Sequence, residues 1–244
     1  TYRVVREGYV MLTDVDESLH GTATIASDVF YKNDSWTVIG IDDRAFYNNT
    51  KITAVELPST ITSIGKEAFA GCSNLQSVTF KANSQLATLG EYTFRNCSSL
   101  PSINLPSGLE EIPASAFSGC TRLRSINMPD SLKFIRKSAF LSCLNLSMIS
   151  LPYTLESIDE AAFNGCQTLN EIFLWSAEYP QADNSAFLNI GANPTLYSFI
   201  QATQPEAWDF AKKATLSISR PVFEYTGQVP TMEIQGNTSS TYHL

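Results

Sequence analysis

Five cysteines are the residues with the most chemistry in this 244-residue chain: Cys72, Cys97, Cys120, Cys143 and Cys166. Thiols could serve as disulfides, metal ligands or nucleophiles. Five is odd, so at least one cannot pair within the chain. No C-x-x-C spacing occurs, and the two histidines, His20 and His243, lie outside the cysteine region, so a zinc site has no second ligand type close by. The same shortage removes the base from any Ser–His or Cys–His dyad. The carboxylate pairs Glu110/Glu111 and Asp159/Glu160 are sequence neighbours in exposed slots, which suits a solvated surface better than acid–base work. Asp14, Asp16 and Ser18 begin like a calcium loop, but Leu19 stands where its glycine belongs and Ile25 where its final acid belongs. Asn-x-Ser/Thr triplets at Asn33, Asn48, Asn96, Asn145 and Asn237 are what a serine-rich chain produces by chance. The chain therefore reads as a protein without catalytic machinery, metal or cofactor.

What positions the cysteines is a repeat. Phenylalanine recurs at 46, 69, 94, 117, 140, 163 and 187, in steps of 23, 25, 23, 23, 23 and 24. Each cysteine follows its phenylalanine by three residues, with Asn49 and Ile190 at the ends of the array. Other apolar stations keep the register: Leu75, Leu100 and Leu123 six after the anchor, Val78, Ile103 and Ile126 nine after, Phe80, Leu105 and Met128 eleven after, and Ile64, Leu89 and Ile112 five before. A fixed period of this length marks a solenoid, in which each unit buries its apolar face only by stacking on the next. Leu100, Ile103 and Leu105 end in alternation, which predicts a short strand. Ile64, Ala68, Cys72 and Leu75 step by 4, 4 and 3, which predicts a short helical stretch. Pro58, Pro106, Pro129 and Pro152 end the strands, because proline supplies no N–H to a ladder. Two extra residues within 81–85 account for the step of 25. Cysteines at equivalent stations point the same way, so parallel rungs about 4.8 Å apart favour a buried, reduced ladder over disulfides.

Three stretches carry the pattern most clearly: LPSTITSIGKEAFAGCSNLQSV (57–78), LPSGLEEIPASAFSGCTRLRSI (105–126) and LPYTLESIDEAAFNGCQTLNEI (151–172). They resemble the leucine-rich repeats of the BspA-like surface-protein family. The resemblance implies an α/β repeat fold: a right-handed leucine-rich-repeat solenoid with a parallel β-sheet and repeats of about 23 residues. It also implies a bacterial or protozoan surface or secreted protein that adheres to host matrix proteins or to other microbes. The commoner consensus places Asn or Cys where this chain has Asn83, Gly108, Ser131, Thr154 and Ala177, so no continuous asparagine ladder is expected.

Four regions follow: an N-terminal β-hairpin cap (1–37), the solenoid (38–200), a C-terminal cap helix (201–218) and a linker or the start of an immunoglobulin-like module (219–244). Strands are expected over 22–30 and 36–41, and a last strand over 195–200. Gln204, Pro205 and Glu206 are expected to open a helix running through Lys213.

The chain is 43% hydrophobic and 16% charged, with a net charge of −8. An acidic chain is repelled by phosphate backbones and by anionic membrane surfaces, so nucleic acid is excluded as the natural partner. No apolar run is long enough for a membrane-spanning helix. The chain is expected to act as a monomer, outside the cell or on its surface.

Register assigns the outward side chains of the sheet: Ala54 and Glu56, Ser77 and Thr79, Ser102 and Asn104, Ser125 and Asn127, Met148 and Ser150, Glu171 and Phe173. Most of this face is small and polar. Its C-terminal end would present Phe173 and Trp175 side by side, with Tyr153 one rung away, unless the C-terminal cap covers them. The candidate ligand-binding residues are thus Ser102, Asn104, Ser125, Asn127, Ser150, Glu171, Phe173, Trp175 and Tyr153. Three uses fit: a trough that holds a protein, a glycan site on Phe173 and Trp175, or a spacer carrying whatever lies at 219–244.

Overall fold

The structure is a computed structural model that describes residues 1–16, 18–198, 205–208 and 212–215. The chain winds into a β-solenoid of about seven turns. Each turn carries one strand of a long parallel sheet, a convex wall and a two-residue strand that returns the chain. The long sheet is built from Gly21–Thr24, Ile52–Leu57 and Ser77–Phe80, then Ser102–Asn104 and Ser125–Asn127, then Met148–Leu151, Glu171–Leu174, Thr195–Ser198 and Lys212–Thr215. The return strands are Ser63–Ile64, Thr88–Leu89, Glu111–Ile112, Phe134–Ile135, Ser157–Ile158 and Gln181–Ala182.

The seven anchor phenylalanines form one column, each ring stacked on the next at 4.8–5.4 Å with planes within 21°. The other apolar stations, from Ile64 to Leu169, are buried around it, except Phe80 and Leu89, which are half-buried against it. All five cysteines are free thiols inside this core. Each donates its S–H to the carbonyl of the preceding rung's anchor, as Cys120 Sγ does to Phe94 O at 3.1 Å and Cys143 Sγ to Phe117 O at 3.2 Å. Burial pushes Cys72 and Cys120 up to about 12 and Cys97 well above the ordinary thiol value.

The helical stretch expected in each repeat is not there, so the α/β expectation becomes an all-β winding. Among the described residues the one helical turn is the 3-10 turn Glu206–Trp208. Two left-handed residues flank each anchor from Phe46 to Phe163, as Glu67 (φ 55°) and Gly71 (φ 77°) flank Phe69, and they break any helix. Alternate N–H groups then leave the rung altogether: Glu67 N, Phe69 N and Gly71 N donate to the carbonyls of Glu91, Thr93 and Arg95 on the next rung at 2.8–2.9 Å. The N–H groups between them close local turns, as Ala70 N does on Glu67 O. The station two after the anchor alternates in size: Asn48, Gly71, Asn96, Gly119, Ser142, Gly165. Asn48 lies over Gly71 and Asn96 over Gly119, where a Cβ would collide with the asparagine side chain.

The missing asparagine ladder is partly replaced by hydroxyls. Ser131 Oγ lies 2.6 Å from both Ser107 O and Leu109 O, and Thr154 Oγ1 lies 2.7 and 2.8 Å from Asp130 O and Leu132 O.

The N-terminal cap is larger than a hairpin. Strands β1 (Tyr2–Arg6) and β2 (Tyr9–Leu12) form one antiparallel pair, closed at Gly8 (φ 78°). The stretch expected as one strand over 22–30 divides into β3 (Gly21–Thr24), which joins the long sheet, and β4 (Asp28–Tyr31), which forms a hairpin with β5 (Asp34–Ile41). At the other end the expected cap helix is replaced. The 3-10 turn delivers Trp208, fully buried, onto Phe187 and Tyr179, and its Nε1 donates to Pro180 O at 3.0 Å. Lys212–Thr215, expected in the helix, instead pairs in parallel with Thr195–Ser198 as a further rung, which satisfies that strand's open edge. The expected strand 195–200 is found over Thr195–Ser198; residues 199–200 and the module expected at 219–244 lie outside the described residues.

Candidate functional site

The outward side of the long sheet is where the register places the candidate residues. Ser102 pairs with Ser125 and Asn104 with Asn127 across neighbouring strands, so the four side chains form a two-by-two array, all exposed. Ser77 and Thr79 extend it by one rung toward the N-terminus. None of these six side chains makes a hydrogen bond to another described residue, so their hydroxyls and amides are available to a ligand. The array carries no charge. Acidic side chains bound it: Glu56, held by Thr24 Oγ1 at 3.1 Å, on one side and the half-buried Glu171 on the other.

Toward the C-terminus the face changes character, and one expectation is corrected. Phe173 is 6% exposed. Its ring is stacked against Tyr197 of the next strand at 4.6 Å and against Trp175 at 6.5 Å. Trp175 is half-buried, and its Nε1 donates to Ser150 Oγ at 2.7 Å, which half-buries Ser150 as well. Phe173 and Trp175 therefore do not form an exposed pair: the residue that covers Phe173 is Tyr197, at the same station one turn on. Tyr153, in the turn after Met148–Leu151, remains 67% exposed. The nine candidate residues thus separate into an open polar array (Ser102, Asn104, Ser125, Asn127) and an aromatic stack held by Ser150, with Glu171 between them and Tyr153 at the rim.

The carboxylates that could have formed an acid–base pair are each tied to a basic residue of a neighbouring rung. Glu110 meets Lys133 at 3.0 Å and Glu160 meets Lys137 at 2.6 Å, while Arg136 bridges Glu111 and Asp159 at 2.7 and 3.7 Å. These ion pairs lie at the surface, where solvent screening leaves each of them weak. They fix rung against rung.

Six copies of the BspA type leucine rich repeat region match the chain, over residues 39–170 and 87–204. The chain belongs to the BspA-type leucine-rich-repeat family. No curated protein matches it. Three of the solved structures that match share the solenoid fold. A leucine rich repeat protein of T. pallidum is 24% identical, with a TM-score of 0.65 and coverage of 82% of this chain and 83% of that one. A leucine rich cell surface protein of Faecalibacterium prausnitzii is 26% identical, with a TM-score of 0.57, over 73% of this chain and 54% of that one. A leucine-rich repeat protein of Bacteroides ovatus is 24% identical, with a TM-score of 0.58, over 85% of this chain and 58% of that one. The matched part is thus little more than half the length of two of these three proteins. Membership of the BspA-type family suggests a protein-interaction module. No helix among the described residues is long and apolar enough to cross a membrane.

Proposed function

We propose that this chain is a non-enzymatic binding module, placed on a cell surface or secreted, which acts as a monomer and holds a protein partner against the concave sheet. The partner is a host matrix protein or a surface protein of another microbe, as expected for the family. The observation that carries the reading is the open array Ser102, Asn104, Ser125 and Asn127. Four side chains in strict register present donors and acceptors that nothing in the described fold uses. Asn amides offer both donors and acceptors, which suits the peptide groups of a partner. The acidic flanks at Glu56 and Glu171 favour a neutral or basic partner surface.

The glycan reading keeps a narrower base. With Phe173 buried, a sugar ring would have to stack on exposed Tyr153 beside the rim of Trp175. The soluble chain is to be tested on immobilised matrix proteins, microbial surface proteins and glycans, beside Tyr153→Ala and Trp175→Ala variants. Saturable protein binding that survives Tyr153→Ala supports the trough. Glycan binding lost in both variants refutes it in favour of the aromatic rim, and binding to neither panel refutes both and leaves the spacer.

A further inference from the structure

The polar array is bordered by basic side chains that the fold leaves unengaged. Elsewhere the described basic side chains have partners. They lie against a carboxylate, as Lys133 does on Glu110 at 3.0 Å, or over an aromatic ring, as Arg95 does over Tyr92, or act on a nearby acid, as Lys51 does on Asp16. Among the described residues Lys81, Arg122 and Arg124 meet neither a carboxylate nor a ring, and all three are exposed. In a chain of net charge −8, where acids outnumber bases, an unengaged cation is the exception.

Two of the three stand at the ends of sheet strands. Arg124 directly precedes Ser125, and its N–H donates to Pro101 O at 2.8 Å. Lys81 directly follows Phe80, and its N–H donates to Leu57 O at 3.0 Å. Both backbones are thus fixed to the preceding rung while both side chains are open to solvent. Ser77, Ser102 and Ser125 occupy one station on successive rungs. Arg124 therefore lies at one edge of the array and Lys81 at the opposite edge, with Ser102 and Asn104 between them. Two rungs of about 4.8 Å and five residues of about 3.3 Å put the two backbones roughly 19 Å apart. The acids of this face leave both cations alone. Glu56 pairs with Thr79 across the strands, and its carboxylate accepts Thr24 Oγ1 at 3.1 Å rather than Lys81. Glu171 lies opposite Met148, two strands beyond Asn127. Asp130, in the turn after Asn127, pairs with no described cation.

We propose, resting on the concave reading above, that Lys81 and Arg124 select an acidic partner: an extended segment of the partner protein crosses the array on this diagonal and sets one carboxylate on each cation. A guanidinium takes a carboxylate through two parallel N–H bonds and an ammonium takes it as a point charge. Such charge-assisted bonds are about twice as strong as neutral ones. An extended chain rises about 3.3 Å per residue, so the two acids stand about six residues apart. The neutral stretch between them lies over Ser102 and Asn104, whose hydroxyl and amide suit its peptide groups. Glu56 and Glu171 lie beyond the diagonal, so the partner is neutral or basic outside its two acids. A sulfated glycan or other continuous polyanion would run on into those carboxylates, and the acidic chain as a whole repels it.

The test is an NMR titration of the whole chain with three acetylated, amidated heptapeptides, in which five serines separate two glutamates, two glutamines or two lysines. The glutamate peptide is expected to give saturable shifts at Lys81, Arg124 and the side-chain amide of Asn104. It should bind at least about tenfold more tightly than the glutamine peptide, the worth of one charge-assisted contact. Arg124→Gln and Lys81→Gln should each remove most of that preference. Arg95→Gln, on the convex wall, should leave it intact. Equal or tighter binding of the glutamine or lysine peptide at the array would overturn the acidic segment and leave the concave array standing. Shifts confined to residues outside the array, or no saturable shift from any of the three peptides, would overturn both.

Discussion

Truncating Phe117 to alanine probes the column on which the whole winding rests. Its ring is fully buried and stacked on Phe94 and Phe140, both at 5.4 Å. Removing a buried phenylalanine costs about 3–5 kcal/mol through lost transfer energy and the cavity left behind. The two ring contacts supply roughly 1–3 kcal/mol of that. Phe46 gives the internal comparison, because it ends the column and stacks on Phe69 alone. Phe46→Ala should therefore cost about 1 kcal/mol less than Phe117→Ala, the worth of one ring contact. Urea unfolding followed by circular dichroism reads both. With a slope of about 3 kcal/mol per molar, Phe117→Ala should lower the midpoint by at least about 1 M. A rung lost in mid-array also weakens the coupling of the two halves, so the slope should fall as well. A Phe117→Ala midpoint within about 0.3 M of wild type, using that same slope, or a larger loss from Phe46→Ala, would refute the stacked-column account.

Three further outcomes follow from the same geometry. The five thiols should react with an alkylating reagent at pH 8 only after unfolding, and labelling of the native chain would contradict their burial. Because the folded thiols of Cys72 and Cys120 are pushed up to about 12 and an unfolded thiol ionises near about 8.5, their contribution to stability is whole below about pH 8.5 and is lost as pH rises toward 12; a urea midpoint unchanged between pH 7.5 and 10.5 would count against it. Gly119→Ala should destabilise by at least about 1–3 kcal/mol, since residue 119 is left-handed at φ 75° and its new Cβ meets Asn96 Oδ1, and thermal melting indistinguishable from wild type would show that the wall is not built this way.

The repeat was legible because burial imposes it. Every anchor, cysteine and strand station from Phe46 to Leu174 had to be apolar in register, and the outward pairs Ser102/Ser125 and Asn104/Asn127 follow from the same alternation. The wall was not legible from apolar spacing. Ile64, Ala68, Cys72 and Leu75 have helical spacing, yet they sit on an arc whose N–H groups belong to the next rung. A cue was present in the Asn48, Gly71, Asn96, Gly119 alternation, residue types that tolerate φ above zero. Gly8 between Arg6 and Tyr9 was likewise a hairpin signal. The burial of Phe173 required aligning Tyr197 with it across a 24-residue step, and Pro205 with Glu206 signalled a helix where one turn suffices to seat Trp208.

The concave array is most directly tested by filling it. An Asn104→Arg/Asn127→Arg double variant puts two long cations into an exposed, uncharged trough without touching the buried stations. Binding of this variant and of wild type to the immobilised matrix and microbial surface proteins is to be compared, with urea midpoints measured alongside. The account predicts saturable binding by wild type, a loss of at least tenfold in the double variant, about the 1.4 kcal/mol of one lost contact, and midpoints that agree. Equal binding by the two proteins would contradict the concave face as the site.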